Sequence, residues 1–580
     1  MVKGSSLPRF DREFFGGAHS LTRIGDGELG GKASGLLRIQ TEILTRLSAD
    51  SFPYVEVAVP TATVLTTSVF DAFMARNKLS DVAHSDLPDD RIAHAFQQAE
   101  LPAEHLGDLR ALISCVHTPL AVRSSSLLED DLDHPFAGVY GTKMIPNNEI
   151  EEDTRFSRLV EAIKFVYATC FFSESKAYLA SIGRTPGDEK MAVIIQEVVG
   201  QLAGDRFYPC VSGVARSHNY YPTGHARPSD GVISLALGLG KTIVDGGLSW
   251  SYSPAFPKAP PPFNDLGELL KNTQTRFWAV HMGDPPPHDP IRETEYLVYP
   301  GLAEAESDGA LRYLVSTYDA GSDRLNPGLD ARGPRALTFA PLIGSRLMPF
   351  TGLLERLMEL AEKALATPVE MEFAINLDRA DALPARFGFL QVRPMMVSGE
   401  QVAVSAEDTV GDDVVVASAN VLGNGERSNL VDVVFIRPDA FEPSETPLMA
   451  KELELINQRI VQEGRNYLLI GFGRWGTSDP PLGVPVAWGQ ISGARVIVEA
   501  TLPDVQPELS QGSHFFHNLL SFQVLYLSVE HHGPYEIDWE WLASQSVVES
   551  GPHITHVRLD EPLGVRVDGG SGRGVVTRNG

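Results

Sequence analysis

Two short alternating stretches near position 380 constrain the fold of this chain more than any other feature. In VEMEFAINLD (369–378) and FGFLQVRPM (387–395) the apolar and polar residues alternate with the period of a half-buried β-strand. Paired as adjacent antiparallel strands, they would set Glu370 and Glu372 on one face of the first, and Gln391 and Arg393 on one face of the second. Two carboxylates and an amide offer oxygen ligands to a hard divalent cation, and the guanidinium offers a planar fork to phosphate oxygens. The same residues equally suit an exposed strand face whose glutamates pair with Arg393.

A second stretch, AVRSSSLLEDDLDHPFAGVYGT (121–142), gathers Arg123, Ser124, Ser125 and Ser126 with the glycine-bearing segment through Gly138 and Gly141. Guanidinium, hydroxyls and exposed backbone N–H groups can hold a phosphate together. The alternative is an ion pair between Arg123 and Glu129, Asp130 or Asp131. Earlier in the chain, a glycine-rich turn in IGDGELGGKASGLLRIQ carries Lys32 into a helix, marked by the spacing of Leu36, Leu37, Ile39, Ile43, Leu44 and Leu47. Lys32 is either a phosphate contact or a solvated loop residue.

The 580 residues exceed what one core organises, so several domains are expected. A boundary after about residue 400 is marked by the small, acidic, turn-rich run MVSGEQVAVSAEDTVGDD. The α/β organisation divides as 1–190, 191–400 and 401–580. Strands are expected at 120–123 and 191–200, and helices at 90–113, 156–180 and 353–366. After 400 the pattern gives strands at 412–418, 431–436, 466–471, 484–488 and 494–500, a helix at 448–461, and a Gly- and Arg-rich end that frays. With 48 basic against 75 acidic side chains the formal net charge is -27, which argues against a nucleic-acid surface and leaves room for a small basic pocket. The three cysteines, Cys115, Cys170 and Cys210, are too few and too scattered for a disulfide framework or a zinc cluster. No charge-free apolar run of about 18 residues marks a membrane segment. A cytoplasmic protein is expected, and a homo-oligomer is compatible with the composition.

Read together and in order, LGGKASGL, AVRSSSLLEDDLDHPFAGVYGT, VIIQEVV, SGVARS, LALGLGKTIVDGG, VEMEFAIN and LQVRP resemble the nucleotide-binding domain of the pyruvate phosphate dikinase and phosphoenolpyruvate synthase family, over roughly residues 15 to 400. The resemblance implies an ATP-grasp fold in which two α/β subdomains clamp ATP. It implies that Lys32 and Arg123 contact the phosphates, that Gln196, Glu197 and Val198 form the hinge against adenine, and that Gly138 and Gly141 belong to a mobile loop over the phosphates. Gly238 and Gly240 fall in a second glycine-rich segment. Glu370, where the family often has Asp, and Glu372 match its acidic pair around Mg-ATP, and Gln391 and Arg393 match its last site segment. ATP and Mg²⁺ are the implied cofactors, with Glu372 and Gln391 as metal ligands and Arg123 and Arg393 as catalytic cations.

The complete family enzymes add a phosphohistidine carrier domain and a barrel of roughly 250 residues. Neither is recognised after 400, a stretch too short for the two together, so full dikinase or synthase activity is not expected of this chain alone. Two C-terminal stretches are the candidates to replace them. The loop RWGTSDP offers Arg474, Trp475, Thr477, Ser478 and Asp479 to a small polar or phosphorylated substrate, or else holds a structural arginine and a core tryptophan; QGSHFFH offers His514 as phosphate carrier or general base, with His517 three residues on, or else a packed polar pair. The expected activity is ATP-dependent phosphoryl transfer to a small-molecule or histidine acceptor. The alternatives are an ATP-binding sensor without transfer, and the ATP-handling subunit of a split system with a separate phosphocarrier protein. Neither nucleic acid nor membrane is expected as a partner.

Overall fold

The computed structural model describes residues 7–12, 20–48, 51–129, 138–185, 187, 189–220, 222, 225–259, 266–271, 273–329, 332–345, 348–377, 385–395, 402–477, 482–502, 519 and 522–578. The chain divides into two compact units. The first comprises Met1–Ser217, Gly231–Ile243 and Leu248–Met395, and the second His218–Asp230, Val244–Gly247 and Met396–Gly580. Both mix helices with sheet.

In the first unit the strands that frame the candidate residues are β1 (Leu21–Ile24), β2 (Val55–Ala58), β3 (Ala62–Leu65), β4 (Leu120–Ser126), β5 (Thr142–Ile145), β6 (Met191–Glu197), β7 (Val211–Arg216), β8 (Val232–Ala236), β9 (Trp250–Tyr252), β10 (Val369–Asn376) and β11 (Ala385–Pro394). One sheet runs β1-β3-β6-β4-β5 and the other β9-β8-β7-β10-β11-β2. The alternation around residue 380 yields the antiparallel pair β10 and β11, with Glu370 opposite Arg393 and Glu372 opposite Gln391. On its other edge β10 pairs with β7, where Arg216 stands opposite Glu370.

Helices cover the sheets through apolar stripes. In α1 (Gly31–Arg38) Ala33 and Leu36 are buried; in α2 (Glu152–Thr169) Leu159, Ala162, Ile163 and Val166 are; and in α3 (Phe350–Leu365) Leu353, Leu354, Leu357, Met358 and Ala361 are. The ring of Phe350, opening α3, lies 6.0 Å from that of Phe373 on β10. Each fully buried apolar side chain of this kind contributes roughly 1.5–3 kcal/mol relative to exposure, before the entropy of ordering it. Two expected helices are each split. The 90–113 stretch breaks into Asp89–Gln98 and Ala103–Cys115 around Pro102, which cannot donate within a helix, and the 156–180 stretch ends at Thr169 and restarts at Ser173.

The second unit is built on β12 (Val414–Ser418), β13 (Asn420–Leu422), β14 (Gly425–Ile436), β15 (Tyr467–Phe472), β16 (Ala494–Ala500), β17 (Leu525–Val529), β18 (Ile554–Asp568) and β19 (Arg573–Thr577), in the order β12-β19-β18-β14-β15-β16-β17-β13. The four strands β14, β15, β16 and β17 run parallel, and α4 (Thr446–Gln462) makes the crossover from β14 to β15. The stretch 484–488 is not a strand of this sheet. Only Gly483–Val484 is extended, pairing with Arg474–Trp475, and a 3₁₀ turn follows at Trp488–Gln490. The expected frayed end is also corrected: Arg573–Thr577 turns back through the Gly-rich 569–572 segment to pair with β18 and also pairs with β12. Among the described residues no helix is long and apolar enough to cross a membrane.

Candidate functional site

Lys32 is positioned by a close approach that only glycine permits. Gly30 has φ +76°, and a Cβ there would lie 1.8 Å from the carbonyl oxygen of Ser125, so the start of α1 rests directly on the end of β4. Ser125 fastens the contact, accepting from the Ala33 N–H at 3.0 Å and donating to the Leu29 carbonyl at 2.8 Å. Lys32 Nζ then reaches Ser124 Oγ at 3.0 Å and Glu129 Oε1 at 2.8 Å. Glu129 also accepts from Ser124 Oγ and from the Ser126 N–H, each at 2.8 Å. Lys32, rather than Arg123, is therefore the ion-pair partner of Glu129, and the pair is buried, with side chains 11% and 1% exposed.

Arg123 joins the two sheets of this unit. From β4 its Nη1 donates to Gln196 Oε1 on β6 at 3.3 Å and to the Leu390 carbonyl on β11 at 3.2 Å, while Nη2 donates to Gln391 Oε1 at 3.0 Å. Glu372 Oε2 lies 3.7 Å from Nη2. Next to this group, Glu370 sits between two arginines: Arg393 donates to Oε1 through Nε at 2.6 Å and also through Nη2, and Arg216 Nη2 lies 2.6 Å from Oε2. All three are buried. The three-strand register explains the cluster, because residues directly opposite on neighbouring strands share a face.

The donor set suits a hard cation at one place only. Both oxygens of Glu370 are committed to guanidinium groups, whereas Glu372 has a single loose contact to Arg123 and Gln391 presents an amide oxygen beside it. Glu372 and Gln391 fit Mg²⁺, which takes one or two protein oxygens and completes its shell with phosphate and water. Among the described residues no group of three or more His, Cys, Asp or Glu is arranged to hold a metal by itself.

At the hinge stretch, the Glu197 and Val198 N–H groups bond the carbonyls of Thr61 and Pro119, each at 2.9 Å, and Glu197 Oε1 accepts from Thr118 Oγ1 at 2.7 Å. Gln196 is buried, and its Nε2 has no hydrogen-bond partner. Such a donor calls for an acceptor from a ligand or a water. In the glycine-bearing segment, Gly138 has φ +72° and a Cβ on Gly141 would stand 2.7 Å from the Phe165 ring. Between them, Tyr140 OH meets Glu189 Oε2 at 3.1 Å, and Glu189 Oε1 accepts from the N–H groups of Leu127 and Lys190. Burial pushes the Glu189 carboxyl up to about 7, despite those hydrogen bonds. Gly238, at φ +81°, packs against the Trp278 carbonyl, and a Cβ on Gly240 would meet only the Ser212 side chain at ordinary contact distance.

In the second unit Arg474 and Trp475 are buried. Arg474 Nη1 donates to the Gly246 carbonyl at 2.5 Å, and Trp475 Nε1 to the Val498 carbonyl at 3.4 Å. Thr477 is buried as well. Ser478, Asp479, His514 and His517 lie outside the described residues. The sequence reading missed Glu189, Tyr140 and Arg216. Arg216 carried a signal, since it alternates with Val214 and Ser212 in SGVARS, but its opposition to Glu370 depends on a pairing more than 150 residues away in the chain.

Arg123 from one sheet set against Glu372 and Gln391 from the other, with Lys32 on the adjoining helix, is an arrangement suited to phosphate and a cation. Residues 27–256 match the family model described as pyruvate phosphate dikinase, AMP/ATP-binding domain, so this part of the chain is similar to an ATP-binding domain of phosphotransferases. The matched span holds Lys32, Arg123, the Gly138 to Gly141 segment and Gln196 to Val198; β10 and β11 lie beyond it. A search of curated proteins found no match.

Proposed function

We propose that the chain is an ATP-dependent phosphotransferase whose first unit is an ATP-grasp domain binding Mg-ATP where β4 and β6 face β10 and β11. The observation that carries the reading is Arg123, which from β4 bonds Gln196 on β6 and Leu390 and Gln391 on β11, with Glu372 of β10 at 3.7 Å. Arg123 and Lys32 bind phosphate oxygens, and Gln196 Nε2 supplies an unused donor to the base or ribose. Glu372 and Gln391 hold Mg²⁺, which when bound offsets the charge of the phosphates. Arg393, held rigidly by Glu370, presents its charge to the transferred group, so positioning and electrostatics carry most of the rate. The acceptor is a small molecule or a histidine.

The test is ³¹P NMR of ATP incubated with the protein, Mg²⁺ and a panel of hydroxyl, carboxylate and histidine-bearing acceptors. Acceptor-dependent loss of ATP that disappears in R123A supports the reading, and ATP left intact with every acceptor in the panel, despite tight binding, overturns transfer. One observation favours a second reading, an ATP sensor without transfer: Lys32 and Arg393 are both already neutralised by buried carboxylates. In that case nucleotide binding would change the stability of the protein with no chemistry.

A further inference from the structure

The parallel strands β15, β16 and β17 of the second unit end on one edge, the edge where open α/β sheets receive ligands. One residue before the end of β16 stands Glu499, only 1% exposed. Its Oε2 accepts from Tyr526 OH, but its Oε1 has no hydrogen-bond partner. Directly opposite on β17 is Ser528, 4% exposed, whose Oγ is also without a partner. Residues directly opposite on adjacent strands share a face of the sheet, so Glu499 and Ser528 present their unmatched atoms on the same face. On the other flank Glu499 is opposite Gly471, where a Cβ would come within 2.4 Å of the Trp475 indole, so that ring lies over the same face.

Buried polar atoms without partners are rare, and two on adjacent strands at a sheet's ligand-receiving edge point to a group supplied from outside. The charges narrow its chemistry. Arg474 is close enough to act on Glu499, so a cation would be opposed by the guanidinium and an anion by the carboxylate, and a neutral ligand is matched best there. Both unmatched atoms can accept a hydrogen bond and Ser528 can also donate, which suits hydroxyl groups, and the indole and phenol beside them supply apolar faces. Burial holds the Glu499 carboxyl up to about 7, with Tyr526 and Arg474 pulling it down, so near neutral pH it can either accept from or donate to a hydroxyl.

We propose that Glu499 Oε1 and Ser528 Oγ form the polar floor of a binding site, flanked by Trp475 and Tyr526, for a neutral small molecule carrying adjacent hydroxyl groups, a polyol or sugar. This deepens the phosphotransferase reading and rests on it for the ligand's role as acceptor, though not for its binding. The test is saturation-transfer NMR on the full chain without nucleotide, using glycerol, myo-inositol and glucose as probes. At least one should bind the parent, with affinity falling about tenfold in E499Q and about fivefold in S528A. S528A removes one buried atom and keeps the test alive if E499Q fails to fold. The inference is overturned if no probe binds the parent, which would mean that the floor holds water alone, or if both variants bind like the parent. A probe that binds through Glu499 yet never stimulates ATP consumption leaves the site standing and removes its acceptor role. Polyol-dependent ATP consumption that is unaltered in both variants keeps the phosphotransferase and sinks this site.

Discussion

The pairing of Lys32 with Glu129 sets nucleotide and protein in competition for one ammonium group. Glu129 accepts three hydrogen bonds, from Lys32, Ser124 and the Ser126 N–H, in surroundings that leave its side chain 1% exposed. E129Q keeps the shape but removes the charge and turns one acceptor into a donor. Breaking a buried pair by removing one partner costs about 3–5 kcal/mol, and the retained amide oxygen places E129Q near the lower end, about 3 kcal/mol. A phosphate arriving at Lys32 restores the missing countercharge, and recovery of about half that cost corresponds to roughly tenfold tighter binding. Calorimetric titration with Mg-ATP should therefore rank E129Q above the parent and K32M below it, while the unliganded E129Q melts earlier than the parent. If E129Q loses affinity as K32M does, Glu129 orients Lys32 for the nucleotide instead of competing for it, and the reasoning fails.

Three further outcomes follow from the geometry. E370Q leaves Arg216 and Arg393 buried without a countercharge, so urea unfolding should show a loss of about 3–5 kcal/mol, and a loss under about 1 kcal/mol would show that the cluster is solvated. G30A must push α1 away from β4, because its Cβ would overlap the Ser125 carbonyl; it should weaken Mg-ATP binding about tenfold or more or prevent folding, and a parent-like protein would contradict the close approach. Glu189 has a folded value near 7, above its unfolded value of about 4.3, so the native state holds the extra proton and stability falls as pH rises between those values. E189Q should remove about 3 kcal/mol of that decline, read as the difference between the two proteins' stability curves from pH 4 to 8, and parallel curves would refute it.

Much of the frame was legible because it is local. The alternation in VEMEFAIN and FGFLQVRP located both strands and their antiparallel pairing, and helical spacing located α4 within two residues at its N-terminus. What the chain concealed was non-local. Glu129 stands six residues from Arg123 and was weighed as its partner, yet successive side chains of β4 take different neighbours, and Ser124 brings Lys32 to it from 92 residues away. The Arg216 contact needed the β7 to β10 pairing, which no local pattern encodes. Glu499 was hidden in a run read only as a strand; the one acid in ARVIVEA, set among Val498, Ala500 and Ile497, was the available signal. The RWGTSDP loop reads in sequence either as an acceptor site or as a structural arginine beside a core tryptophan, and Arg474 and Trp475 are interior groups that bond the backbone at Gly246 and Val498.

Mg-ATP titration of R123A against the parent tests the central claim most directly. Arg123 bonds β6 and β11 from β4, and removing it takes away both a phosphate donor and that connection. The account predicts binding by the parent that weakens when Mg²⁺ is chelated, and a loss of about a hundredfold or more in R123A, the size expected for a charge-assisted contact at a desolvated phosphate. Equal affinity in parent and R123A, or no nucleotide binding by the parent, would contradict it.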